Sequence, residues 1–225
     1  MIVIVDYGRG NLFSLSKALD QIGARHCISD QAAVVHRADA LILPGVGAFG
    51  DSMAALQARD LVAPLRDAVW AGTPLLGICL GMQILATAGD EFGRHEGLGF
   101  VPGLVQRLPA PQASDPEAVR IPNVGWRRLE SCRADAMTQK LSDGEMMYFI
   151  HSFGMVVEDA NNVVATVRVN GLDVPAIVRQ GAICGCQFHP ERSGEGGLAL
   201  LARFVNQGDA GLSRPQNKSN RRKLS

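Results

Sequence analysis

The sequence is poor in aromatics, which make up 5% of its 225 residues, and it carries no net charge: 22 Lys and Arg stand against 22 Asp and Glu. Balanced charge excludes the basic footprint of a nucleic-acid or anionic-membrane binder, so neither partner is expected. No apolar run approaches the roughly 18–20 residues that a membrane helix needs. A leader peptide is not expected either, because Asp6 and Arg9 interrupt the apolar start at Met1 to Val5 before a signal core is complete. The five cysteines are an odd set, with only Cys184 and Cys186 close together. A secreted disulfide framework is denser and even-numbered. Reduced thiols in a cytoplasmic protein, one of them free for chemistry, are therefore the expectation; no cofactor or metal is expected. Apolar residues, at 47%, are plentiful, enough to bury a substantial core in a chain of this size.

Two kinds of pattern divide the chain. Ile2 to Val5, Ala40 to Leu43 and Pro74 to Ile78 are short continuous apolar runs, which suit strands buried on both faces of a parallel sheet. Between them lie helical spacings. Leu12, Leu15, Leu19 and Ile22 share a face before Gly23, Asp51 to Ala71 is helical but broken near Pro64, and a third helix is expected over Gly81 to Ala88. This alternation predicts an α/β fold with a mostly parallel central sheet flanked by helices. The second half reads as shorter strands, some antiparallel: Leu104 to Leu108, Met146 to Ile150, Val163 to Val169, Val174 to Arg179 and Ala182 to Gln187. Within the last, Cys184 and Cys186 are expected on opposite faces. Residues 109–118 read as a loop or insertion, and Ser193 precedes a final helix. Residues 1–208 are expected to form one domain, with 209–225 a basic, disordered tail. The zero net charge is then a sum of opposites: five basic residues and one acid lie in that tail, leaving 17 basic against 21 acidic residues in the domain.

The chemistry is concentrated at Gly77-Ile78-Cys79-Leu80-Gly81. A buried strand runs straight into a helix with Cys79 at the junction and glycines at −2 and +2, the spacing of a nucleophile elbow. The sharp turn leaves no room for neighbouring Cβ atoms. The helix N-terminus beneath the sulfur favours thiolate, and the Leu80 amide points toward a developing oxyanion. A core cysteine packed beneath a helix is the alternative reading. Such a nucleophile needs a base. Of the five histidines, His26, His36 and His95 carry no motif and read as surface residues. His189 follows an apolar run and opens His189-Pro190-Glu191. Pro190 is expected to hold the backbone extended, so that Glu191 accepts from one ring nitrogen while the other faces the thiol. Pro44-Gly45-Val46-Gly47 follows the second buried strand. Its glycines allow a peptide flip that would make the Val46 N–H a second oxyanion donor, or they form an ordinary turn. Gly8 and Gly10 hint at a dinucleotide fingerprint, but its third glycine is missing.

Together these segments resemble the class I (triad) glutamine amidotransferases, and specifically the glutaminase subunits of imidazole-glycerol-phosphate synthase in histidine biosynthesis. The match is carried by Asp6 to Leu12, Leu43 to Phe49, Gly77 to Gln83, Ile121 to Trp126, Tyr148 to Ser152 and Gln187 to Glu191, collinear over most of residues 1–207. The resemblance implies the flavodoxin-like fold of that class and a Cys79–His189–Glu191 triad, with an oxyanion hole from the Val46 and Leu80 amides. It implies that Gly47, Gln83, Glu91, His151 and Ser152 contact glutamine, Glu91 meeting the substrate ammonium. It implies a heterodimeric (β/α)₈-barrel synthase partner that receives the ammonia, docked through Asn11, Pro122, Gly125 and Trp126. Trp126 is otherwise a core residue. The chain departs from the family at Asn123 and Val124, where histidine and methionine are usual, at Arg127 in place of asparagine, and at Phe153 in place of tyrosine. None touches the expected triad. The departures leave open a paralogous glutaminase serving another barrel-type synthase, for example in amino-sugar assembly, a stand-alone Cys-His-Glu hydrolase, or a catalytically silent binding subunit.

Overall fold

The computed structural model describes residues 1–111, 118–130, 132–139, 141 and 144–211. The first half is β1 (Ile2–Val5), α1 (Leu12–Gln21), β2 (His26–Ser29), α2 (Ala32–His36), β3 (Ala40–Gly45), α3 (Phe49–Ala58), α4 (Val62–Trp70), β4 (Leu75–Cys79) and α5 (Leu80–Gln83). There follow β5 (Ala86–Gly89), β6 (His95–Glu96), β7 (Val101–Arg107), β8 (Asn123–Arg128), β9 (Met146–His151), β10 (Phe153–Val157), β11 (Val163–Val169), β12 (Leu172–Gln180), β13 (Ile183–Cys186) and α6 (Gly194–Gly211).

A seven-stranded sheet in the order β11-β12-β13-β4-β3-β1-β2 forms the centre. Its five strands from β13 to β2 are parallel, and β12 and β11 add an antiparallel edge. Every residue of β1, β3 and β4 is buried, because helices cover both faces. Alternation along the strands divides their side chains between two cores. Ile2, Ile4, Ile42, Leu76 and Ile78 pack with Leu15 and Leu19 of α1 and Leu200, Leu201 and Phe204 of α6. Val3, Val5, Leu41, Leu43 and Leu75 pack with Leu56 of α3 and Leu65 of α4. Cys184 and Cys186 share the first of these cores, not opposite ones as expected, since residues i and i+2 of a strand face the same way. A second sheet, β10-β7-β5-β6, and a two-stranded ribbon, β8-β9, complete the fold.

Two helical expectations are corrected. The break in Asp51 to Ala71 falls at Arg59 to Leu61, where Asp60 has φ 53°; Pro64 lies inside the first turn of α4, where its missing N–H costs nothing. The helix expected over Gly81 to Ala88 stops at Gln83. Leu98 N–H, Phe100 N–H and Gly99 N–H donate to the carbonyls of Ile84, Leu85 and Ala86. Those carbonyls are thereby taken by the segment between β6 and β7, and tertiary pairing overrides the local helical pattern.

α6 continues to Gly211, past the domain boundary expected at 208; the remainder of the basic tail, and residues 112–117 of the 109–118 loop, lie outside the described residues. Among the described residues no helix is long and apolar enough to cross a membrane, and no group of three or more His, Cys, Asp or Glu side chains is placed to hold a metal ion.

Candidate active site

The carboxyl ends of the central parallel strands converge on one edge of the sheet, where open α/β folds place their sites. Cys79 is the last residue of β4, paired with Gly45 at the end of β3. Its backbone sits at φ 56°, ψ −112°, a strained conformation for a residue with a Cβ. The flanking glycines make that conformation possible. A Cβ on Gly77 would lie 2.6 Å from the Gly81 carbonyl oxygen, and one on Gly81 would overlap the Leu43 carbonyl. The elbow is thus wedged against β3 by backbone alone. α5 beyond it is a single turn, so the long helix dipole expected beneath the sulfur is absent; the free first-turn N–H groups remain.

His189 comes from the loop after β13. Pro190 to Arg192 form a 3-10 turn, not the extended backbone expected after the histidine, and His189 itself is extended at φ −98°, ψ 97°. The tight turn folds Glu191 back so that its Oε1 lies 2.9 Å from His189 Nδ1. Both side chains are buried, 9% and 3% exposed. Glu191 Oε2 is buried and has no hydrogen-bond partner among the described residues. The turn is locked from behind: His189 N–H donates to Tyr148 O at 2.9 Å, and Ser193 Oγ donates to His189 O at 2.6 Å while accepting from Tyr148 N–H at 3.0 Å. Burial alone would lower the His189 pKa, but hydrogen bonds to Cys79 and Glu191 and their charges outweigh it and raise it to about 10. Both partners thus favour the ring's protonated form once the Cys79 proton has moved to it.

A cleft of about 370 Å³ opens over this pair and is lined by Asn11, Val46, Gly47, Cys79, Leu80, Gln83, Glu91, Pro122, Ile150, His151, Ser152, Phe153, His189 and Arg192. All five residues expected at glutamine, both oxyanion candidates, and Asn11 and Pro122 thus meet in one place. Glu191 stands behind His189, outside the lining. Gly125 and Trp126 lie beyond the rim on β8. Trp126 is 47% exposed, so it is not a core residue; its ring meets Tyr148 edge-on at 5.9 Å. Arg192, which the motif reading passed over, places its guanidinium 4.8 Å from the centre of the Tyr148 ring on the cleft side.

Pro44 and Gly45, expected in a turn, are the end of β3, and this end with the bend after it is anchored from below. The buried Tyr7 hydroxyl donates to Pro44 O at 2.8 Å, and Gly47 adopts φ +103°, the conformational freedom that the glycine supplies. Glu91 Oε2 accepts from Phe49 N–H at 2.8 Å, capping α3, which has no side-chain cap of its own. Asn11 lines the cleft and also caps α1, its Oδ1 accepting from Ser14 N–H at 3.3 Å.

His151 is fixed as a neutral ring. Asn123 Nδ2, a donor only, lies 2.9 Å from its Nε2. Nδ1 must then carry the proton and donates to Phe153 O at 2.8 Å. Burial lowers the His151 pKa to about 4; the Phe153 carbonyl opposes and the nearby His189 adds to the lowering. Two of the departures from the family pattern belong to this arrangement: Arg127 Nε donates to Asn123 Oδ1 at 3.0 Å. The unassigned histidines are structural or exposed. His26 bonds Ser16 Oγ and Ala24 O, and His95, expected on the surface, packs its ring against Gly50.

The family model for glutamine amidotransferase class-I matches residues 3–207. The imidazole glycerol phosphate synthase subunit HisH of Syntrophotalea carbinolica is 43% identical over 204 residues, 91% of this chain and 98% of the relative. The subunit of the same name from Bacillus cytotoxicus is 41% identical over 204 residues, 91% and 93% of the two chains. Among solved structures, a glutamine amidotransferase superposes with a TM-score of 0.68 at 22% identity, over 93% of this chain and all of that one. PurLQS from Thermotoga maritima superposes with a TM-score of 0.67 at 25% identity, over 92% and 97%. The chain belongs to the class-I glutamine amidotransferases and, within them, to the imidazole glycerol phosphate synthase subunit HisH proteins.

Proposed function

We propose that this chain hydrolyses glutamine at Cys79 and delivers the ammonia to a (β/α)₈-barrel synthase subunit, with which it forms a cytoplasmic heterodimer in histidine biosynthesis. The observation that carries the reading is the convergence of Cys79 at its strained elbow, His189 and, behind it, Glu191 at a cleft of side chains suited to a free amino acid. The catalytic unit is residues 1–208, the basic tail an appendage.

In this reading the Cys79 proton passes to His189 and Sγ attacks the side-chain amide carbon of glutamine. A C–S bond forms, and negative charge moves to the amide oxygen, facing the Val46 and Leu80 N–H groups. Collapse breaks the C–N bond as His189 returns its proton to the departing nitrogen, releasing ammonia. Water then attacks the thioester, losing a proton to His189. The C–S bond breaks, glutamate leaves and the proton returns to sulfur. Glu191 holds the ring in the orientation that serves both transfers and stabilises its charged form. Glu91, 2.8 Å from Phe49 N through one oxygen, offers the carboxylate for the substrate ammonium. His151 and Ser152, with Gly47 and Gln83, complete the substrate contacts. Asn11, Pro122, Gly125 and Trp126 dock the barrel, with exposed Trp126 as the anchor.

The test is ammonia release from glutamine by the chain with and without the barrel subunit. Release that depends on the partner and vanishes in Cys79→Ala is expected. Release from γ-glutamyl peptides by the chain alone would select a stand-alone hydrolase instead, and release only with a barrel synthase of a different pathway would reassign the partner.

A further inference from the structure

Gln187 lies between the last central strand and His189, fully buried, with its backbone N–H bonded to Ala176 O at 2.9 Å. Its side chain belongs to a chain of hydrogen bonds that begins at a backbone atom and ends at the sulfur. Gln83 Nε2 lies 2.9 Å from Phe153 O, and a carbonyl accepts only, so that end of the Gln83 amide is the nitrogen. The same NH₂ group reaches Gln187 Oε1 at 3.0 Å. The Gln187 amide is thereby oriented as well, its oxygen toward Gln83 and its nitrogen toward Cys79 Sγ, 3.8 Å away. Phe153 is paired with Arg107 across β10 and β7, so the anchor is itself part of a sheet.

The sulfur has a second neighbour of opposite character, the Ile150 carbonyl at 3.7 Å. A carbonyl accepts from a thiol S–H but repels a thiolate. An amide N–H tolerates the thiol and binds the thiolate more strongly. We propose that Gln187 is a further catalytic residue, whose side-chain N–H donates to Cys79 Sγ and stabilises the sulfur in its anionic form. The proposal rests on Cys79 being the nucleophile. It also gives Gln83 a defined polarity: both donors of its amide are engaged, so only its oxygen is offered to the cleft, as an acceptor for a substrate N–H.

The other groups that bear on the sulfur are His189 just before the 3-10 turn, Tyr7 after β1 and Cys186 of β13, with Glu191 of the turn and His151 of β9 acting on His189. All remain in place when Gln187 alone is changed. The experiment is the pH dependence of iodoacetamide alkylation of Cys79 in the full chain, resolved by mass spectrometry from the other cysteines. Gln187→Met keeps the length and removes the donor; a tenfold slower reaction near neutral pH, with the midpoint moved up by about one unit, is expected. Gln187→Glu keeps the acceptor toward Gln83 and sets an oxygen against the sulfur, and it shifts the midpoint upward too. It carries the test if the Met variant does not fold. A midpoint unchanged from wild type in a folded variant overturns the proposal; a raised KM for glutamine with that unchanged midpoint would leave Gln187 a support for Gln83 alone. A wild-type Cys79 that does not alkylate would instead refute the nucleophile assignment itself.

Discussion

Replacing Glu191 with glutamine isolates charge from shape at the candidate triad. The amide oxygen can still accept from His189 Nδ1 across the 2.9 Å contact, so the ring keeps its orientation while the negative charge is lost. The His189 pKa stands at about 10 against an ordinary value of 6.5, with burial opposing and Cys79 and Glu191 raising it. At about 1.4 kcal/mol per unit, the net shift corresponds to roughly 5 kcal/mol, and the two partners together exceed it because they also offset burial. An even division assigns Glu191 at least about 2 kcal/mol, or roughly 1.5 pKa units. In Glu191→Gln the His189 titration should therefore move down by about that much, read directly from its ring proton resonances. Ammonia release with partner present should fall by at least about 30-fold in kcat with little change in KM, since the stabilised imidazolium forms during reaction and not on substrate binding. Stability carries the same signature. A raised folded-state pKa contributes stability fully below pH 6.5 and loses it as pH rises through about 10. Wild type should lose stability across that window and the variant should lose less. A His189 titration unmoved by the substitution, or a kcat within a factor of about three of wild type, would refute the assignment of Glu191.

Two other perturbations test the scaffold. Gly81→Ala drives a Cβ into the Leu43 carbonyl, a clash with backbone that no rotamer relieves, and should cost more than about 3 kcal/mol in a denaturant titration. A melt unchanged within about 0.5 kcal/mol would mean that the elbow is not wedged against β3. His151 has the opposite pH sign to His189: its folded pKa is depressed from 6.5 to about 4, so its contribution is present above pH 6.5 and lost as pH falls through about 4. The shift amounts to roughly 3 kcal/mol, which should appear as acid lability in urea titrations and be absent from His151→Gln; equal acid slopes in the two proteins would contradict the neutral, doubly bonded ring.

The parallel core was legible because burial on both faces leaves an unbroken apolar run, as in Ile2 to Val5, Ala40 to Leu43 and Leu75 to Ile78. The elbow was legible because a backbone contact demands glycine at both Gly77 and Gly81, and that demand is written in residue type. The helix past Gln83 was misread for the converse reason: the carbonyls of Ile84 to Ala86 are taken by residues 98–100, and sequence spacing carries no trace of a partner so far along the chain. The same limit hid the Gln83–Gln187–Cys79 chain, whose members lie 104 and 108 positions apart. Pro190 misled locally; it can begin a 3-10 turn as readily as hold an extended strand, and only the turn brings Glu191 onto His189.

The central claim is that Cys79 is the thiol that attacks a glutamine side chain, activated by His189. The most direct measurement is site-resolved mass spectrometry after treatment with an electrophilic glutamine analogue in the presence of the barrel subunit. A single adduct on Cys79, blocked by excess glutamine and slowed at least about tenfold in His189→Asn, is the predicted result. An unmodified Cys79, or labelling that glutamine does not compete, would contradict it.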